Sequence, residues 1–305
     1  MRHLARLSVL LAACANSPVT APPDSSVVSS PDARVVEDLS MIEDASVVVD
    51  VAMSFDAAIA DASTIIDSTT SGADLTGSDL DGDGLDDAYE AQVALDYLPY
   101  LNVDDHDGCP LGGMLYRVSP HPKNPAFLHI LYDHLYQNDC GAGPHIGDDE
   151  AFAITVARSL PAPAGIVAIV AISHQGTLCQ VVSTCGKCTA NTCDTAMRNG
   201  KPYPVLWASK AKHGSYAQKS TCTFTLCLDN CTAASGPNVL PMQNAGEPAH
   251  HLTEDLTTNG FITTQNGWTE QSLFHFNPWS MQIFGGAGSI GSDLVDPAFD
   301  TPVCP

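Results

Sequence analysis

The sequence predicts a mainly β protein with a short N-terminal helix and disulfide-stapled loops, and three observations lead there. Runs rich in β-branched and aromatic residues recur at Leu115 to Val118, Phe127 to Tyr136, Ala151 to Arg158, Ile166 to Ser173 and Val205 to Ser209, as strands do. Removing Cys14 from the 11 cysteines leaves ten, an even number that an oxidising compartment joins into as many as five disulfides. An acidic loop at 79–90 runs directly into helical patterning.

Met1 to Ala13 has a basic start (Arg2, His3, Arg6) and then the apolar run Leu7 to Ala13. That run is far shorter than the roughly 20 apolar residues of a membrane span, so 1–13 reads as a signal peptide. Leu11-Ala12-Ala13-Cys14 fits a bacterial lipobox. Cleavage there leaves Cys14 as the lipidation site and the membrane as a partner. The expected location is the bacterial cell envelope, and Asn16, not Asp, close behind Cys14 leans towards the outer membrane. Residues 14–78 are mostly Ser, Thr, Ala, Val, Pro and Asp, with Phe55 the lone aromatic. So little bulk with so much unbalanced charge cannot offset ordering entropy by burial, and the segment is expected to be a disordered acidic tether.

Asp79, Asp81 and Asp83 occupy positions 1, 3 and 5 of an EF-hand-type loop, with Gly84 at the sharp turn, the Leu85 carbonyl at 7, Asp87 at 9 and Glu90 at 12. The expected ligand is Ca2+. Helical patterning from Asp86 to Tyr97 follows the loop and none precedes it, so 79–97 reads as a half EF-hand that fastens the first helix. Residues 98–305 are then one disulfide-rich β domain. Its opening run Asp104, Asp105, His106, Asp107 reads as a solvated loop ahead of a second metal site.

Alternation in the Phe127 to Tyr136 strand puts His129 and Asp133 on one face and Ile130, Tyr132, His134 and Tyr136 on the other. The chain then bends through Asn138 to Gly147. From Asp148 the same alternation aligns Asp148, Glu150, Phe152, Ile154 and Val156, so two carboxylates share a face with apolar side chains. Such a pair is costly to bury unless a cation or proton is shared. With Asp139 and His145 they offer one nitrogen and several hard oxygens. The expectation is a divalent site of Asp139, His145, Asp148 and Glu150, for Ca2+ or Mg2+ ahead of Zn2+ or Mn2+. His174 and His213, at strand ends, are candidates for a fifth ligand or a general base. Cys185-Gly-Lys-Cys188 reads as part of a stapled surface loop rather than zinc or redox chemistry, His250-His251 as packing, and Gly285 to Gly288 as a turn.

Asp139 followed by Gly143-Pro-His145-Ile-Gly-Asp148-Asp-Glu150 resembles the GHRHDWE heptapeptide of the necrosis- and ethylene-inducing cytolysins. It is closer still to the His-x-Gly-Asp-Trp-Glu version of the vacuolar-protein-sorting-like family, whose His-x-Ser-Tyr piece resembles His213-Gly-Ser-Tyr216. The resemblance implies a β-sandwich. In the cytolysins an upstream Asp with the His, Asp and Glu of the heptapeptide binds a hard divalent cation, which corresponds to Asp139, His145, Asp148 and Glu150. The family tryptophan is Asp149 here, the Arg is Ile146 and the second His is Gly147, so toxicity does not carry over.

A net charge of -23, with no Lys or Arg between Arg34 and Arg117, excludes nucleic acid, which needs clustered cations. The expected function is an exported, lipid-anchored, divalent-metal-binding β-sandwich that holds a cell-surface glycan or polar lipid headgroup through an incompletely ligated cation. One alternative is a metal-dependent hydrolase in which the cation lowers the pKa of bound water and His174 or His213 moves the proton. No HExxH, nucleophile elbow or serine-triad spacing specifies one. Another is a structural lipoprotein whose metals only stabilise.

Overall fold

A computed structural model of the chain describes residues 78–104, 106–109, 111–222, 227–232, 240–263, 277–279, 290–300 and 302–303. The signal peptide 1–13, the lipidation site Cys14, the tether apart from Ser78, Asp105, Trp268, Phe274, the 285–288 glycine run and Cys304 lie outside the described residues.

Asp86 caps the first helix by accepting from the amides of Ala88 and Tyr89, so that α1 (Asp87–Tyr97) starts inside the acidic loop. The helix buries Val93, Ala94 and Tyr97. After it come β1 (Tyr100–Asn102), β2 (Leu111–Pro120), β3 (Phe127–Asp139), β4 (His145–Ala157), β5 (Ile166–Ser173), β6 (Val181–Cys185), β7 (Thr195–Arg198), β8 (Lys201–Ala208) and β9 (Ser215–Tyr216). Short strands β10 (Met242–Asn244), β11 (Gly246–Glu247) and β12 (His250–His251) precede a last helical turn, α2 (Ile290–Asp293).

Six strands form the main sheet in the order β10-β2-β3-β4-β5-β6. The order β1-β8-β7, with β9 beside β8, makes a smaller sheet. The two sheets and α1 enclose a core of Met114, Tyr116, Ile130, Tyr132, Phe152, Ile154, Ile169, Leu101, Leu206, Val93 and Ala94. This is the β-sandwich. The opposite face of the main sheet is covered too: Leu115, Leu131, Leu135, Ala153 and Val170 pack against Leu256, Phe261, Ile262, Ile290, Leu294 and Phe299 from the C-terminal part of the chain. Burial on both faces explains why β5 is apolar from Ile166 to Ile172 instead of alternating.

β3 and β4 outrun the expected strands at the bend: β3 continues to Asp139, β4 begins at His145, and these two residues are cross-strand partners. Disulfides join Cys109 to Cys140, Cys179 to Cys227, Cys185 to Cys193 and Cys222 to Cys231 among the described residues.

Candidate functional site

Local backbone chemistry shapes the acidic loop. The Asp79 carboxylate accepts from the amides of Gly82 (2.8 Å) and Gly84 (3.1 Å), and Asp83 accepts from Leu85 (2.7 Å). Gly84, at φ +90°, makes the turn that an L side chain resists. One ligand atom from each of Asp79, Asp81 and Asp83 lies within 4.8 Å of the others, and the same holds for Asp81, Asp87 and Glu90. The two triads meet at Asp81. Among the described residues, both Asp81 oxygens, Asp83 Oδ2 and Glu90 Oε1 are buried without a hydrogen-bond donor. Burial first, then the neighbouring carboxylates, pushes Asp81 up to about 7 and Glu90 up to about 9. Orphaned hard oxygens converging in this way fit a divalent cation such as Ca2+. The loop is docked on the sandwich by His250 Nδ1 donating to the Asp81 carbonyl (2.9 Å) and by Asn244 Nδ2 donating to Glu90 Oε2 (3.2 Å).

At the bend of β3 and β4, cross-strand pairing brings His145 Nε2 to 3.6 Å from Asp139 Oδ2. The His145 Nδ1–H donates to the Gly147 carbonyl at 2.8 Å. That contact leaves Nε2 as the ligating nitrogen, the orientation metal-bound histidines adopt. Asp139 also accepts from the Gly141 amide and lies 3.9 Å from Lys212 Nζ. Asp148 is engaged elsewhere, with His213 Nδ1 donating to its Oδ2 at 2.6 Å. Glu150 sits across the strand pair from His134. His134 cannot neutralise it, because burial pushes that imidazole down to about 3 while its nitrogens face Tyr136 and Ser215. Among the described residues Glu150 Oε2 is therefore buried with no donor, and burial, reinforced by Asp148, raises its pKa well above the usual range.

The four expected ligands thus line one end of the strand pair without converging on a point: among the described residues no three of them have ligand atoms within 4.8 Å of one another. The expectation treated His145 as part of a turn. As the first residue of β4, three positions before Asp148, it is not delivered to the Asp148 face by strand alternation.

His213 is wholly buried between two carboxylates, with Nε2 donating to Asp107 Oδ1 (3.1 Å) and its ring stacked on Tyr136 at 3.6 Å between centroids. Burial lowers its pKa, but the Asp107 and Asp148 hydrogen bonds outweigh it and lift the group to about 9. Burial pushes Asp148 upward although His213 pulls it down. Flanked by two acceptors, the imidazole is the group that keeps the proton. With both nitrogens committed, His213 is not a free base. His174 Nε2 lies 2.5 Å from Asp229 Oδ2 while His213 is held by Asp107 and Asp148, so the two candidate bases do not share carboxylate partners.

Asp107 corrects the reading of 104–107 as a solvated loop. It accepts from both His213 and the Ala211 amide, and Asp104 is buried and bonded to the His106 amide and the Thr232 hydroxyl. The Cys109–Cys140 disulfide carries this segment to the bend. A second set that sequence reasoning passed over is Asp133, Asp149 and Asp293, whose ligand atoms also lie within 4.8 Å of one another. The one available signal was Asp133 on a strand face shared with His129, Leu131 and Leu135.

No family model matches the chain, and no curated protein matches it. A solved structure described as "Toxin fold for microbial attack and plant defense" is similar over 52% of this chain and 74% of its own, at 16% identity and a TM-score of 0.28. At that TM-score the likeness assigns neither a fold nor a function to this chain.

Proposed function

We propose that the protein is an exported, lipid-anchored β-sandwich that binds Ca2+ in the loop 79–90 and a second hard cation, Ca2+ or Mg2+, beside Asp139, His145, Asp148 and Glu150, where it holds a cell-surface glycan or polar lipid headgroup. The observation that carries the calcium reading is the set of donorless, buried oxygens of Asp81, Asp83 and Glu90 in one loop. The second cation draws support from His145 Nε2 turned towards Asp139 at the bend, while the donorless Glu150 lies further along β4 and does not close on that pair. Export accords with the four disulfides among the described residues, and the lipid anchor rests on the lipobox that ends at Cys14. Side chains at the bend are the reachable ones, with the His145 side chain 29% exposed. A hydrolase would have to use His174, whose Nε2 faces Asp229, since His213 has no nitrogen left to accept a proton.

The test is retention of the purified chain on a glycan array and on vesicles of anionic and zwitterionic phospholipid, with calcium or with chelator. Retention on one of these surfaces in calcium, lost in chelator and weakened at least tenfold in Asp139→Asn/His145→Gln, is the expected result. Retention that ignores both the chelator and the double substitution sinks the proposal. So does the absence of any retention together with a purely thermal response to calcium, which identifies a structural lipoprotein.

A further inference from the structure

Three aspartates meet inside the second core, on the side of the main sheet away from the His213 site. Asp133 on β3 and Asp149 on β4 are diagonal neighbours in the register that pairs Asp133 with Ala151 and Leu135 with Asp149. Asp293 arrives from α2, whose flanking Ile290 and Leu294 are packed in the same core as Leu135 and Ala151. Relative exposures are 0%, 1% and 1%.

Carboxylates in such a place require a partner, and apart from the contact between Asp149 and Asp293 themselves the described residues show none for the oxygens named next. Both oxygens of Asp133, both of Asp149 and Oδ2 of Asp293 are buried with no hydrogen-bond donor. The charged groups acting on Asp133 are Asp293 and Asp148, which only repel it. A buried polar group without a partner is retained only against a large desolvation penalty. One oxygen from each of the three carboxylates lies within 4.8 Å of the other two. Two oxygens held by one calcium ion at about 2.4 Å are at most about 4.8 Å apart.

We propose that Asp133, Asp149 and Asp293 form an enclosed, all-oxygen site for one hard divalent cation, with Ca2+ favoured over Mg2+, that clamps α2 and the C-terminal segment to the second face of the main sheet. Oxygen-only ligation selects hard cations over zinc or copper. Three carboxylates supply up to six oxygens when each binds through both, which suits the high and flexible coordination of calcium. Magnesium keeps several waters, for which a dry apolar pocket has little room. The competing arrangement is a proton shared between the Asp149 and Asp293 carboxyls, which are close enough to interact directly. None of the three is an acidic-loop ligand or one of Asp139, His145, Asp148 and Glu150, although Asp149 stands between the last two, so Asp293→Asn, remote in sequence from both sets, is the variant that separates this site from theirs.

The experiment is elemental analysis of the full chain after chelator dialysis, reloading with Ca2+ and gel filtration. Wild type is compared with Asp149→Asn, Asp293→Asn, Asp133→Asn/Asp149→Asn/Asp293→Asn and, as the loop control, Glu90→Gln. Each aspartate variant should carry one calcium fewer per chain than wild type. Combining Asp293→Asn with Glu90→Gln should remove one more than Glu90→Gln alone. Chelated wild type should also be cleaved by protease within the C-terminal segment at least tenfold faster than the calcium form. If Asp149→Asn does not fold, the triple Asn variant, which removes charge at nearly constant shape, gives the stoichiometry. Unchanged calcium content in folded Asp293→Asn or in the triple variant overturns the proposal in favour of the shared proton.

Discussion

His213 illustrates how one side chain settles what its neighbours can do. Its proton is held by Asp107 and Asp148 at once, and the ring lies flat on Tyr136. The protein therefore keeps a cation in its interior, between two acids that would otherwise confront each other without compensation. Removing one member of a buried charged set costs about 3–5 kcal/mol because the remaining charges stay buried. His213→Ala is expected to lose that much stability in urea denaturation, and His213→Gln, which restores hydrogen-bond donors, less. A midpoint unmoved by His213→Ala would mean that the acids are not charged in the folded protein. The same arrangement removes His213 from the list of free bases, even though its place at a strand end had suggested one.

Among the elements, the loop 79–90 and α1 act as a unit. Asp86 caps the helix, Asp87 and Glu90 in its first turn face Asp81, and Leu85 and Val93 anchor the unit in the main core. Occupancy of the loop should be worth about 2.7 kcal/mol when calcium stands 100-fold above its Kd. At roughly 2–4 °C per kcal/mol for a domain of this size, Glu90→Gln should lower the calcium-loaded Tm by roughly 5–10 °C. The chelated Tm should not fall, because the substitution then removes a repulsive buried carboxylate. Calorimetry with and without calcium makes the comparison, and an equal drop in both conditions would mean that Glu90 acts by packing alone.

On the scale of the whole molecule, both faces of the main sheet are covered, and the second cover is contributed by residues from the C-terminal part of the chain. His129 reports on that cover, with its Nε2 bonded to the Phe299 carbonyl at 3.1 Å. Burial, helped by Arg117, lowers its pKa from 6.5 to about 4. The unfolded chain thus takes up this proton first, so the contribution is complete above pH 6.5 and is lost as pH falls towards 4. The shift corresponds to about 3 kcal/mol at 1.36 kcal/mol per pH unit. His129→Gln, which keeps a donor for Phe299, should flatten the stability of the protein between pH 6.5 and 4 by about that amount relative to wild type, as read from denaturant midpoints. Parallel wild-type and variant curves across this window would exclude His129 as the source.

The features legible in the sequence are those written in consecutive residues. The loop 79–90 could be read because its ligands follow one another at set spacings and local backbone turns bring them together. The strand runs from Phe127 to Ser173 could be read because each carries its own β-branched and aromatic pattern. The bend was read less well, since an Asp-Cys-Gly-Ala-Gly-Pro run looks like a turn on either side of Asp139 and only the β3–β4 register makes Asp139 and His145 strand partners. Asp107 meets His213 across 106 positions, and Asp293 meets Asp133 and Asp149 only after the C-terminal segment has packed on the sheet. Such contacts leave no periodic mark, because neither partner's local conformation depends on the other. The sequence alone determined a mainly β chain with an acidic loop ahead of its first helix. Tertiary structure decided which carboxylates face a histidine, which face each other and which face only apolar side chains, since burial and long-range register set the charge environment of each.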